Sequence, residues 1–357
     1  MNAWIDELRS VTESGEDACL VTIATARGSA PREAGAKMLV TSDRTFATVG
    51  GGELEYQCAR IACQMLAGPA SAESRLRKFT LGANCGQCCG GVVEVMFERV
   101  AASRSSWVSK LSELYVTRTA AAVVTEIGAA GKAVITQQHV VEDLAGTLTD
   151  ESVVETARGI LLDGSDACLV AVEGVNGLKR RIMIEPVVCS DFNIAVFGAG
   201  HVGTATIVAL SRLDCNIRWI DNRRGIFPGL ALPKVTFLES EQPGLEVGAM
   251  PAGSHFLVMT HSHALDFDVC ERILRREDFA YCGLIGSLSK RRRFERMMRQ
   301  QGLPEPLLNR LTCPIGISGI ASKSPQDIAV AVSAQLLRIR SEAASTKAHK
   351  DENVLYV

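Results

Sequence analysis

The spacing of apolar positions changes from segment to segment, and the changes divide the chain into strands and helices. Asn2 to Ser14 repeats its apolar residues at helical spacing, and a second helix is predicted from about Glu53 to Leu66. Ala18 to Thr25, the run that follows the loop Arg27 to Gly35, Phe46 to Val49, Arg75 to Thr80 and Val92 to Val100 read as strands. From Ser105 to Pro186 strand-like pieces alternate, at Ala120 to Ile127, Ala133 to Ile135, Cys168 to Val172 and Arg181 to Val188, with a helical segment near Ser152 to Leu161. Beyond Val188 to Asp191 the pattern changes. Short continuous apolar runs, Ile194 to Phe197, Ile217 to Ile220, Val235 to Leu238, His255 to Met259 and Tyr281 to Ile285, are the signature of strands buried on both faces. The expected fold is α/β: an N-terminal mixed α+β domain over residues 1–188, a Rossmann-like doubly wound domain over 189–340 and a loose polar tail over 341–357.

The segment NIAVFGAGHVGTATIVALSRLDCNIRWID, residues 193–221, carries the most specific pattern. Strand, glycine turn, helix and second strand follow in register, and the second strand ends in Asp221, about twenty residues past the glycines, where a dinucleotide-binding unit places its ribose-binding carboxylate. Gly198 permits the tight turn, Gly200 lets the backbone approach a pyrophosphate, and Gly203 lets the helix pack close to the strand. His201 sits inside the same turn, and the helix start offers N–H groups to an anion. These residues are candidates for a nucleotide such as NAD(P). Arg223 and Arg224 follow Asp221 directly, so the site could take a 2′-phosphate, or both bases could be solvated.

With 357 residues, 40 acidic and 38 basic side chains and a net charge of -2, the chain carries no excess of positive charge for nucleic acid or an anionic membrane. The apolar runs are broken by charge well short of membrane-spanning length, and the first ten residues carry acids where an export signal carries bases. The expectation is a cytoplasmic protein with reduced thiols. Of its 12 cysteines, Cys19, Cys168, Cys189 and Cys215 lie in or beside apolar runs and read as small buried hydrophobes.

Candidate chemistry lies in the turns. The loop Arg27 to Gly35 offers Arg32, and the strand after it Lys37, to a phosphate or carboxylate, with a solvated face as the alternative. Gly50, Gly51 and Gly52 stand between a strand and a helix, where consecutive N–H groups can converge on an anion or merely let the turn fit. Cys85, Cys88 and Cys89 crowd into a glycine-rich turn before a strand. A structural zinc would need a second ligand pair that the sequence lacks, and a thioredoxin-type pair would open a helix, which leaves a soft metal, a persulfide or a regulatory disulfide. In Thr260 to Asp266, THSHALD, His261, His263 and Asp266 fall beyond a strand end, where they could bind a metal, relay a proton or cap the following helix. The basic helix RRRFERMMRQ reads as a phosphate site, a docking face or a solvated helix.

Taken together, GSAPREAGAKMLV, VGGGELE, GQCCGG, FGAGHVG, THSHALD, YCGLIGSLSKRRRF and CPIGISGIASKSP resemble the XdhC/CoxI family of xanthine dehydrogenase accessory proteins over almost the whole chain. Ala30 stands where many members carry threonine, and Cys85 adds a thiol beside the GQCC core. The resemblance implies an accessory protein that binds molybdenum cofactor (molybdopterin), supports its sulfuration with sulfur from a cysteine desulfurase, and delivers it to an apo molybdenum hydroxylase such as xanthine dehydrogenase. A homodimer is expected. In that reading Cys88 or Cys89 contacts molybdenum or holds transferable sulfur, while Arg32, Lys37, Gly50, Gly51 and Gly52 grip the anionic end of the pterin. Two alternatives stay open: an NAD(P)-dependent oxidoreductase using His261 or His263 for proton transfer, and a scaffold that docks hydroxylase and desulfurase without handling the cofactor.

Overall fold

A computed structural model describes residues 3–69, 74–84, 90–144, 150–173, 179–188, 190–230, 232 and 234–354. The chain divides into two compact units, Met1–Cys189 and Ser190–Val357.

The first unit runs α1 (Ala3–Glu13), β1 (Ala18–Arg27), β2 (Lys37–Val40), β3 (Thr45–Ala47), α2 (Gly52–Ala67), β4 (Arg75–Thr80), α3 (Leu81–Asn84), β5 (Val92–Val100), α4 (Ser106–Val116), β6 (Ala121–Glu126), β7 (Lys132–Thr136), β8 (Val140–Asp143), α5 (Glu151–Asp163), β9 (Cys168–Glu173) and β10 (Lys179–Val187). Two five-stranded sheets result, in the orders β3-β2-β1-β5-β4 and β8-β7-β6-β10-β9, and every pairing within them is antiparallel. The second order is the first one repeated. Residues 105–186, expected to continue the first domain, lie in the same compact unit and form a second copy of one arrangement: helix, three strands, helix, two strands. Helix α4 and strand β8 complete that copy, and neither was expected.

Equivalent residues fill equivalent places. One core joins Trp4, Ile5 and Leu8 of α1 to Trp107, Val108 and Leu111 of α4, and it takes Leu20, Leu39 and Val100 from one sheet with Val123, Val134 and Val187 from the other. Burying each such aliphatic side chain contributes roughly 1.5–3 kcal/mol. The outer face of each sheet is covered by the helix of its own copy, α2 through Leu54, Cys58 and Ala62, and α5 through Val153, Ala157 and Ile160.

Inside this unit lie two buried ion pairs that cross between the copies. The Lys37 ammonium on β2 donates to Thr22 Oγ1 at 2.8 Å and to the carboxylate of Glu185 on β10, and it lies 5.0 Å from the Trp4 ring centre. Lys132 on β7 donates to Glu98 Oε2 on β5 at 2.6 Å and lies 4.0 Å from the Trp107 ring centre. Trp4, Lys37 and Glu98 of the first copy thus match Trp107, Lys132 and Glu185 of the second, and each lysine reaches the glutamate of the other copy.

The second unit runs β11 (Asn193–Phe197), α6 (His201–Leu210), β12 (Asn216–Asp221), β13 (Val235–Glu239), β14 (His255–Val258), α7 (His263–Arg276), β15 (Tyr281–Leu284), α8 (Leu288–Gln300), α9 (Glu305–Leu308), β16 (Leu311–Thr312) and α10 (Pro325–Val354). Its six strands are parallel, in the order β13-β12-β11-β14-β15-β16. That is the 3-2-1-4-5-6 order of a dinucleotide-binding sheet, whose direction of winding reverses between β11 and β14 and opens a crevice at their carboxyl ends. Strand β16, too short to show in the sequence pattern, completes the sheet. The polar segment from Ser341, expected to be loose, continues α10 as helix to Val354.

Candidate functional site

At the carboxyl end of β11 the three glycines do the separate jobs that the spacing predicts. A Cβ at Gly198, where φ is +115°, would collide with the Met259 carbonyl, and one at Gly203 would collide with the Gly198 carbonyl, so neither position tolerates a side chain. A Cβ at Gly200 would meet nothing within 4 Å. The turn is braced from β12: Trp219 Nε1 donates to the Gly198 carbonyl at 3.0 Å, and the Ala199 N–H donates to Asp221 Oδ2 at 2.7 Å.

Asp221, expected to bind a ribose, is engaged by the protein's own donors. Its buried carboxylate accepts four hydrogen bonds: from the Ala199 N–H, from the Arg223 N–H at 3.0 Å, and from Arg223 Nε and Nη2 at 2.9 Å each. A carboxylate has about four acceptor sites, so this one is fully engaged. Burial pushes the Asp221 carboxyl up, but the bonds from Arg223 and Ala199 outweigh it and hold the group below its usual range.

Beside this turn lies a cavity of about 800 Å³, lined by Gly200, His201 and Thr204 at the start of α6, by Val208 further along it, by Arg223, and by Val330 on α10. Its wall along α6 and α10 is mostly small or apolar. The place of α10 against α6 is a feature that sequence reading missed, because helix pairing carries no local signal.

Across the crevice, the trio His261, His263 and Asp266 is not assembled into one site. The two histidines are exposed, and Ser262 between them caps α7, its hydroxyl accepting from the Leu265 N–H at 3.5 Å. Asp266 turns inward, where it accepts from the Thr260 N–H at 2.9 Å and hydroxyl at 2.7 Å and pairs with Lys290 Nζ at 2.6 Å. Lys290 also donates to the Ile285 carbonyl at 2.9 Å, so a buried ion pair ties the two strand-end loops together. Of the basic helix α8, Arg292, Arg293 and Arg296 are exposed.

In the first unit the loops expected to form a receptacle share one corner of the first sheet. The Gly91 N–H donates to the Ser29 carbonyl at 3.0 Å, and a Cβ at Gly91 would collide with that same oxygen. A Cβ at Gly50 would come within 2.5 Å of Pro31 and 3.7 Å of the Arg32 stem. The loop 28–36, the glycine turn 50–52 and the exit of the thiol turn at Gly91 are therefore packed together. Cys85, Cys88 and Cys89 themselves lie outside the described residues.

Two expected ligand groups in this corner are engaged by the protein. Gly50, Gly51 and Gly52 all have positive φ, as such a turn requires, but an internal carboxylate sits in the turn. Glu55 Oε2 accepts from the Val49 N–H at 3.2 Å, the Gly51 N–H at 3.1 Å and the Thr48 hydroxyl, while the Gly50 N–H donates to Thr48 Oγ1 at 3.0 Å. Lys37 is buried on Glu185, and burial pulls its ammonium below its usual range against the pull of that carboxylate. Arg32 remains at the surface, its guanidinium 3.2 Å from Glu33. The motif shared by MFERV, residues 96–100, and MIEPV, residues 183–187, together with the tryptophan that opens each copy, is the sequence signal that could have revealed the buried pairs. Among the described residues no group of three or more His, Cys, Asp or Glu side chains forms a metal site, and no helix is long and apolar enough to cross a membrane.

Comparison with known proteins agrees with this geometry. A solved structure described as a xanthine dehydrogenase from Bacillus halodurans superposes with a TM-score of 0.71 at 18% identity, covering 95% of this chain and 96% of that one, a likeness of fold. The protein YqeB of Escherichia coli K12 is 29% identical over 170 residues, which are 47% of this chain and 29% of that protein, so the match spans less than a third of the relative's length. A family model of the XdhC Rossmann domain matches residues 194–336, and one of the XdhC and CoxI family matches residues 11–79. With residues 11–79 of the first unit and 194–336 of the second matched in order, the chain belongs to the XdhC and CoxI family.

Proposed function

We propose that this chain is an accessory protein for a molybdenum hydroxylase of the xanthine dehydrogenase type, which binds molybdenum cofactor, supports its sulfuration and hands it to the apoenzyme. Its partners are then that apoenzyme and a cysteine desulfurase, and it works in the cytoplasm as a homodimer. The observation that carries this reading is the family match over residues 11–79 and 194–336.

The residues fit such a group unequally. When bound, the cofactor would supply its metal and dithiolene for exchange of a terminal oxygen for sulfur. Arg32 fits an anionic end, and Gly200 beside the cavity leaves room for a ligand to approach the backbone. Lys37 and the N–H groups of Val49, Gly50 and Gly51 do not fit, since they already have internal acceptors. Cys88 and Cys89 are the proposed sulfur-handling residues, at a turn whose exit is anchored on Ser29 through Gly91.

The test is elemental and pterin analysis of protein purified from a host that makes the cofactor. Molybdenum and molybdopterin should copurify, and Cys88→Ser with Cys89→Ser should lose at least roughly tenfold of the molybdenum, since losing even an outer partner of a metal ligand costs about that much in metal affinity. Full retention by the double variant, with normal sulfuration of a client hydroxylase, would defeat the sulfur-handling role. Client activation without any copurified pterin would favour a scaffold.

A further inference from the structure

The cavity beside the second glycine turn has a polar end that differs from a site for an unphosphorylated ribose. Recognition of a ribose diol uses a carboxylate with free acceptor positions at the end of the second strand. Here Asp221 is buried and its acceptor positions are filled by the Ala199 N–H and by three donors of Arg223. A diol could bind Asp221 only by displacing a two-pronged ion pair. The guanidinium is held differently. Nε and Nη2 point back to Asp221, whereas among the described residues Nη1 has no hydrogen-bond partner, and Arg223 lines the cavity with its side chain 37% exposed. The carboxylate thus fixes the orientation of the fork in a residue that lines the cavity. A planar guanidinium in a fixed orientation is matched to the oxygens of a phosphate. Beyond it, the wall formed by Ala205, Val208, Ala209, Ala329 and Val330 offers no charged group to a ligand.

We infer that this cavity selects a ligand that carries a phosphate monoester, with Arg223 as the residue that recognises the phosphate and Asp221 as the residue that positions Arg223. The inference rests on the reading of this unit as a ligand-binding one and narrows its ligand class. Two sources share that chemistry, the 2′-phosphate of a dinucleotide and the phosphate of a pterin.

Calorimetric titration of the full chain separates them. The probes are NADP against NAD, and 6-hydroxymethylpterin phosphate against 6-hydroxymethylpterin. In at least one pair the phosphorylated member should bind at least roughly tenfold more tightly, the factor expected of a charge-assisted hydrogen bond, and the pair that responds identifies the source. Arg223→Gln, which leaves the Ala199 N–H on Asp221, should reduce that ratio to within about threefold. Equal binding within both pairs, failure of both phosphorylated probes to bind, or a ratio unchanged in Arg223→Gln would overturn the inference. The comparison of wild-type ligands stands even if the variant does not fold. Phosphate selectivity in a protein that carries no molybdopterin would leave this inference intact and remove the proposed function; molybdopterin without phosphate selectivity would do the reverse.

Discussion

The two copies within the first unit share a strand order, a core and a buried Trp, Lys and Glu set, but they differ in their loops. Between the first two strands the first copy has residues 28–36 and the second only 127–131, Ile-Gly-Ala-Ala-Gly, without a charged side chain. Between the last two strands the first copy has 81–91, with its three thiols, and the second has 174–178, without cysteine. The strand-to-helix connection differs the other way, 48–51 against 144–150. What both copies possess is what the fold needs in order to close. What only one possesses is available to a ligand. By that criterion Lys37, matched by Lys132, belongs to the architecture, while Arg32 and the cysteine-bearing segment are left as the proposed ligand-handling features.

The largest effect should come from breaking the shared element. Lys37→Met leaves Glu185 buried without its cation, and Lys132→Met does the same to Glu98, so each should cost about 3–5 kcal/mol in urea unfolding. Adding Glu185→Leu to Lys37→Met should recover most of the loss, because replacing a whole buried pair by apolar groups is often neutral. Unequal costs for the two lysines would break the symmetry on which the comparison rests.

This is also where sequence reading reached its limit. Strands and helices were legible because apolar period is local, and so were the glycines at 198, 200 and 203, whose spacing follows from the path of the backbone. Lys37 looked like a free cation because the glutamate that neutralises it lies 148 residues away in the chain. Asp221 closes β12, as the spacing predicts, but its engagement with Arg223 depends on side-chain geometry that a sequence does not encode locally. The second copy was hidden because its loops changed length while its core residues were replaced by similar ones.

A smaller effect should distinguish the loops. Gly91→Ala places a methyl group against the Ser29 carbonyl oxygen and should cost roughly 1–3 kcal/mol, by forcing loop 28–36 away from the residues that lead into β5. In the second copy's shorter loop, Gly128→Ala meets open space, and its positive φ of 83° should cost only about 1 kcal/mol. The two variants should differ more in cofactor retention than in stability: lost in Gly91→Ala, kept in Gly128→Ala. Equal loss in both would show that retention follows stability alone, and the division between architectural and functional loops would lose its support.

The smallest change in stability should come from Arg32→Gln. The guanidinium is partly exposed and its ion pair is with the adjacent Glu33, an arrangement worth about 0–1 kcal/mol at a surface. The stem of Arg32 lies over Gly50, and glutamine keeps part of that cover. Melting should therefore hardly move. If loop 28–36 exists to hold an anion, the same substitution should weaken molybdopterin retention by at least roughly tenfold, since a cation that the fold does not need would have been removed from the ligand's phosphate. Retention unchanged in Arg32→Gln would mean that the added length of this loop serves something other than the cofactor's charge, and the contrast between the two copies would then point to the thiol turn alone.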